Sequence, residues 1–460
     1  MAKTPPFLTV TRTFRENTLF RGLTKTCAAF AAILVLFSAT AQAQGEVPLI
    51  PVATDQSALS LSNQFGIPAG SAINQAGDFA FVGNGDTALF LRVAGPSVAT
   101  RLLQIDDELP NFPGSQIQSI SPQLGINSSR TIFFGARFTG ADGLTHSALM
   151  TYAGMTYRTV LTSDSFLPDS NSDTFGINLF PGSIDDSGDV NFAGEPPGTS
   201  SFAYYIAPAG FAKVFRIAGT ADTPPVSCTW CNATGSSLIT FLPGGPVSAQ
   251  LFVGNFSGYV PKLNAQGQML LGLWGGLFVG GRDGSFTLVP MAGSGACSPQ
   301  ASNVILSSNA SQGGTAFLNN NGMVIFTNQM NSGSAAICEV LPGPAGVAFQ
   351  VPTAVISTGD AAPASAGGGK IIFPIAMGLN DAGDIVYQSP LPGSTLTALA
   401  LLRYQASTGQ SILVAYDCEP APSTSGGFFS LSPCASSGPG TVFFLSSNGP
   451  FSGMSIGRVL

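Results

Sequence analysis

The strongest constraint in this chain is a short pattern that keeps returning. Ile73-Asn74-Gln75-Ala76-Gly77-Asp78-Phe79-Ala80-Phe81 recurs as Leu263-Asn264-Ala265-Gln266-Gly267-Gln268-Met269-Leu270-Leu271 and as Leu379-Asn380-Asp381-Ala382-Gly383-Asp384-Ile385-Val386-Tyr387. Each copy has Asn, Gly three residues on, and a large apolar residue seven on. Looser copies place Asp185, Gly188 and Phe192 in those roles, then Asn319, Gly322 and Phe326, then Asn127 and Phe134 with Arg130 in the glycine slot. A seventh uses Ser437, Gly440 and Phe444. The copies begin at 74, 127, 185, 264, 319, 380 and 437, at intervals of 53, 58, 79, 55, 61 and 57 residues. Periods of this kind mark repeat architectures.

The pattern has a local physical meaning. Asn or Asp can bond its own backbone two residues on, and Gly three residues later takes the positive φ that closes a tight turn into a strand. Further strand-like runs follow. In the second copy they are Thr131 to Phe138, His146 to Tyr152 and Thr156 to Thr162; in the sixth, Ile385 to Gln388, Leu396 to Tyr404 and Gln410 to Tyr416. With the segment before the Asn, each repeat holds about four strands, the content of a propeller blade. Residues 44–73 and 437–460 together make up one further period. The expected fold is therefore all-β, a seven-bladed β-propeller over 44–460 in which N-terminal strands complete the C-terminal blade. An open array would instead want polar caps at both ends.

Composition agrees with this. Charged residues are 9% of the chain, while 56 glycines and 33 prolines punctuate it, which suits short strands and frequent turns better than amphipathic helices. The net charge is −7, so a phosphate backbone has no basic face to bind and nucleic acid is excluded as a partner. Lys3, Arg12, Arg15, Arg21 and Lys25 precede the uncharged run Cys27 to Ala39, and Ala41-Gln42-Ala43 follows. That order predicts a cleavable signal peptide over 1–43 and a secreted or periplasmic protein, with no membrane span in the mature chain and a monomeric state.

The repeat resembles that of the bacterial NxxGxxAF-repeat proteins, whose copies read Asn-x-x-Gly-x-x-Ala-Phe. Asn74 to Phe81 matches the string in full; elsewhere Leu, Tyr or another residue replaces Phe or Ala, and Asn127 to Phe134 lacks the Gly. The resemblance implies export and a repeat fold. It implies no activity, and no functional residue is carried over from it.

In an exported chain, the six cysteines that follow the signal segment predict a disulfide framework. Pairing neighbours in sequence gives Cys228–Cys231, Cys297–Cys338 and Cys418–Cys434. The chain's single histidine, His146, sits in a strand-like run, where a hydrogen-bonded structural role is expected. Gly453-Met454-Ser455-Ile456-Gly457 matches a nucleophile-elbow string, but too few residues follow it for the helix, acid and histidine such an elbow requires. Catalysis would therefore rest on carboxylates. Acids recur ahead of prolines after the third strand of several copies: Asp106 and Asp107, Asp164, Asp222, Asp360 and Asp417. They are candidate binding residues on one face or, alternatively, turn formers. Calcium is a further alternative for the acids, although Asp185-Asp186-Ser187-Gly188-Asp189 supplies only part of an alternating oxygen set. No metal site and no cofactor are expected.

The long third interval implies an insertion near 224–259, where a Cys228–Cys231 bridge would present Trp230 on a constrained loop. The expected function is non-catalytic binding of a cell-envelope protein or glycan. The alternative is a carboxylate-dependent glycoside hydrolase or lyase on the same scaffold.

Overall fold

The structure, a computed structural model, describes residues 49–54, 70–83, 87–95, 99–168, 173–195, 203–219, 222, 238–242, 245–250, 262–273, 276–290, 295–297, 302–304, 316–330, 334–344, 348–390, 399–416 and 442–446. All belong to one compact unit, Gly45–Leu460. The signal segment, Trp230, Asp417, Cys228, Cys231, Cys418, Cys434 and Ser437 lie outside the described residues.

Every sheet among the described residues is antiparallel, and the repeat copies map onto them in order. The first copy forms a four-stranded meander of Gly70–Ile73, Phe79–Gly83, Ala88–Arg92 and Thr100–Gln104. The second uses Gln116–Ile126, Ile132–Thr139, Thr145–Ala153 and Thr156–Thr162. The third uses Leu179–Ile184, Val190–Gly194, Ala203–Ala207 and Phe215–Gly219. The fourth has three strands, Gln268–Leu273, Gly276–Gly281 and Phe286–Val289, with Leu263 bridging Met269 where the innermost strand belongs. The fifth has five, because Ser302–Val304 and Ala316–Leu318 both pair with Val324–Met330 before Ala335–Val340 and Thr353–Ser357 follow. The sixth returns to four: Ile375–Leu379, Ile385–Pro390, Leu399–Gln405 and Gln410–Tyr416. In each complete sheet the segment before the repeat Asn is the first strand, so the strand runs expected in the second and sixth copies stand within a few residues of their observed bounds.

Two more pairs complete the description. Within the expected insertion, Leu238–Leu242 and Gly245–Gln250 form a hairpin. Leu49–Thr54 pairs antiparallel with Val442–Ser446, Leu49 facing Ser446.

Alternation within the strands builds the core between consecutive sheets. Ala80, Val82 and Leu89 of the first copy pack with Leu124, Phe134 and Met150 of the second. Phe133 and Leu149 on the opposite face of that second sheet pack with Val190, Phe192 and Tyr205 of the third. The same relation joins the third to the fourth, the fourth to the fifth and the fifth to the sixth. The residue seven after each repeat Asn, namely Phe81, Phe134, Phe192, Leu271, Phe326 or Tyr387, has no exposed surface. Complete burial of such a side chain contributes roughly 1.5–3 kcal/mol each. That is why this position is large and apolar in every copy.

Candidate functional site

The repeat turn is tied to its own strand first. The Oδ1 of Asn74, Asn127, Asp185, Asn264, Asn319 and Asn380 accepts the backbone N–H four residues on, at 2.8–2.9 Å. The expected bond to the residue two on is present only beside it, at Asn264 and Asn319. The longer reach prevails because the backbone of residues i and i+4 is already paired as the first rung of the next strand, which brings that N–H under the side chain. The glycine slot has positive φ throughout, and Arg130 adopts it too at φ 64°.

The same asparagines also join one copy to the next. Nδ2 of Asn74 donates to the carbonyl of Asn127, Asn127 to Asp185, Asn264 to Asn319 and Asn319 to Asn380, at 3.0–3.3 Å. A second series runs one residue later. The N–H of Ser128 donates to Asp186, that of Ala265 to Asn320 and that of Asn320 to Asp381, at 2.6–2.8 Å. Inner backbones come close enough that a Cβ on Gly125 would stand 2.6 Å from the nitrogen of Ile184.

A buried acid four residues after the Asn reinforces three copies. Asp78 accepts the N–H of Ala94 and pairs with Arg130 of the next copy at 2.6 Å. Burial raises its pKa, and its donors more than offset that, so the carboxyl lies below its ordinary value. Asp189 accepts Ala209 N–H and pairs with Arg282, and Asp384 accepts Ala406 N–H and pairs with Arg403. Within the partial calcium-like set at 185–189, Asp185 Oδ1 also takes the Ser187 hydroxyl.

Where six copies of the turn converge lies a cavity of about 140 Å³, lined in every copy by the residues from one before to one after the Asn or Asp, and in four copies by the residue two before as well. Its rim acids are occupied: Asp186 by Ser128, and Asp381 by the backbone and side chain of Asn320. Two groups differ. Asp185 is buried, yet its Oδ2 has no hydrogen-bond partner among the described residues, and burial pushes its carboxyl above the ordinary value. The third copy thus breaks the inter-copy series, because a carboxylate cannot donate to the next carbonyl; instead Ser183 Oγ accepts the N–H of Leu263 at 2.6 Å. The other is Lys262. The residue is half-buried on the cavity wall, and desolvation lowers its pKa to about 8. No hydrogen bond or ion pair reaches its amine among the described residues.

The acids singled out from sequence stand elsewhere. The Asn turn joins strands one and two, and in an antiparallel meander the end of strand four lies at the opposite end of the sheet. There Asp107, Asp222 and Asp360 each accept the N–H three residues earlier, at Gln104, Gly219 and Ser357, as turn formers do. Ser165 takes that role in the second copy, bonding Thr162. Asp106 has φ 71° and accepts from the Gln116 amide. Asp164 lies 3.0 Å from His146 Nδ1, whose Nε2 faces Asp142 at 3.1 Å. His146 is therefore held by hydrogen bonds, as its strand position suggested. Of the expected bridges, Cys297–Cys338 is formed. Lys262 was not among the candidates, and Asp185 entered only as a repeat-turn residue and as part of an incomplete calcium set. Lys262 has a visible signal: two before the Asn the other copies carry Ala72, Gly125, Ser183, Phe317 and Gly378, and only here is the residue charged.

The profile of a family described as a family of unknown function, DUF7453, matches residues 97–455. Among curated proteins none matches the chain in sequence. Solved structures it is similar to include virginiamycin B lyase from Staphylococcus aureus with quinupristin, at 12% identity and TM-score 0.33, covering 87% of this chain and 96% of that one. Another is the Aleuria aurantia lectin in complex with Fucalpha1-6GlcNAc, at 11% identity and TM-score 0.28, covering 75% and 95%. A third is a putative glucose dehydrogenase from Thermus thermophilus, at 11% and 0.29, covering 80% and 98%. Among the described residues no helix is long and apolar enough to cross a membrane, and with the disulfide this is compatible with an extracellular protein.

Proposed function

Because the chain belongs to the DUF7453 family, whose function is unknown, we propose a role from geometry: an exported seven-bladed propeller that binds a cell-envelope glycan, without turnover, in the cavity where the repeat turns converge. The propeller reading is supported by six successive sheets packed face to face and by the pairing of Leu49–Thr54 with Val442–Ser446. Phe79, Phe81 and Phe90 support it as well. They are buried on the face of the first sheet that turns away from the second copy, where a seventh blade belongs.

The observation that carries the binding reading is the state of the cavity's acids. Glycoside hydrolysis needs two carboxyl groups free to act on one bond. Here Asp186 and Asp381 hold backbone N–H groups of neighbouring copies through Oδ1, Asp381 also takes the Asn320 side-chain amide, and Asp185 is buried, so each acid of the cavity is engaged or enclosed by the protein. The polar groups around the cavity offer hydrogen-bond partners of the kind sugar hydroxyls use. The test is calorimetric titration of the mature protein with envelope disaccharides, alongside product analysis. Saturable binding without new reducing ends is expected, and Gln75→Trp at the exposed mouth should abolish it without lowering the Tm. Release of reducing ends or unsaturated sugars would replace this reading with the hydrolase or lyase alternative.

A further inference from the structure

We propose that Lys262 anchors a carboxylate on the cavity's ligand, which makes that ligand an acidic sugar of the uronic acid class. This rests on the reading of the cavity as a glycan site. The position supports it: Lys262 replaces residues that are small or apolar in five other copies, and it does so on the cavity wall. Chemistry supports it further. Lys262 lines the cavity and no hydrogen bond or ion pair reaches its amine among the described residues, so an anion bound there would supply its counter-charge. With a pKa of about 8 the amine remains mostly protonated at neutral pH, ready to receive an anion.

The surroundings select the anion. The other titratable groups lining the cavity are Asp185, Asp186 and Asp381, all acids, so a dianionic phosphate meets repulsion that one amine does not balance. A monoanionic carboxylate meets less of that repulsion than a dianion and pairs with the single cation. The exposed residues Gln75 and Ser128 at the rim supply polar contacts of the kind sugar hydroxyls use.

D-glucuronate, D-galacturonate, D-glucose and inorganic phosphate are the probes, titrated into the mature protein at pH 6, 7 and 9. A uronate is expected to bind at pH 6 and 7 and to weaken several-fold at pH 9, with glucose at least tenfold weaker than glucuronate at pH 7. Lys262→Met should lose at least tenfold in uronate affinity, while Lys262→Arg stays within a few-fold of the parent. Should the Met variant fail to fold, 13C-methylated lysines in the unmutated protein give a second readout: the Lys262 resonance should move with glucuronate and stay still with glucose. Equal binding of glucose, equal binding of phosphate, or unchanged uronate affinity in a folded Lys262→Met protein would each overturn the assignment. If neutral envelope disaccharides bind and are blocked by Gln75→Trp while uronates do not bind, the carboxylate assignment falls and the glycan site stands. If nothing binds, both fall.

Discussion

Asp185 occupies a position at which the five other described copies hold an asparagine, and so a donor. Its Oδ1 does what an asparagine Oδ1 does, and its Oδ2 is buried without a partner among the described residues where Nδ2 would reach the next copy. Leaving a buried polar atom unmatched costs about 1–3 kcal/mol. Asp185→Asn is accordingly expected to raise the Tm by a few degrees at pH 7. The sign of the pH dependence follows from its raised carboxyl pKa. A group whose folded pKa exceeds its unfolded value gives stability that is present below the unfolded pKa and is lost as pH rises through the folded one. The advantage of the Asn variant should therefore shrink at pH 4, where Asp185 is more protonated than at pH 7 and its protonated form can itself donate. Melting curves of both proteins at the two pH values check this; an equal gain at both would exclude the missing donor as the cause.

At the scale of the element, the repeat turn is both a turn and a joint. Asn319 accepts from Met323 within its copy and donates to Asn380 in the next. Asn319→Ala removes both bonds from a buried site and should cost about 2–4 kcal/mol. Asn319→Asp keeps the acceptor and removes only the joint, reproducing the third copy, so its loss should be roughly half as large. Denaturant titration of the three proteins reads the difference; equal losses would assign the whole effect to the joint. The turn itself was legible, because its glycine φ and its buried seventh residue follow local rules visible in any one copy. Arg130 could be placed in the glycine slot on spacing alone, and its φ of 64° agrees. The joint was not legible. A single copy shows where Oδ1 goes and is silent on Nδ2, whose acceptor lies more than fifty residues away. Lys262 escaped for a related reason: it stands just outside the motif, and its meaning comes from the sheets that surround it.

At the scale of the whole molecule, the antiparallel pair of Leu49–Thr54 with Val442–Ser446 is the only link among the described strands that joins the two ends of the sheet series. A strand edge left open invites pairing with another molecule. A protein that begins at Ser71 is expected to lose its cooperative melt and to aggregate, which light scattering and calorimetry would show. Melting like the full mature protein would instead show that the first sheet ends the structure unaided.

That same pair also fixes an order in time. Leu49 emerges from synthesis about 400 residues before Ser446, the residue it faces. Contacts separated so far in sequence form late, since the intervening chain must first be brought into place. Until then Leu49–Thr54 has no strand partner among the described residues, however complete the six sheets made between them become. On the propeller reading proposed above, maturation is gated by arrival of the last described strand, Val442–Ser446. Truncations near the C-terminus should accordingly be more harmful than their size suggests, because they remove the piece for which everything made earlier has been waiting.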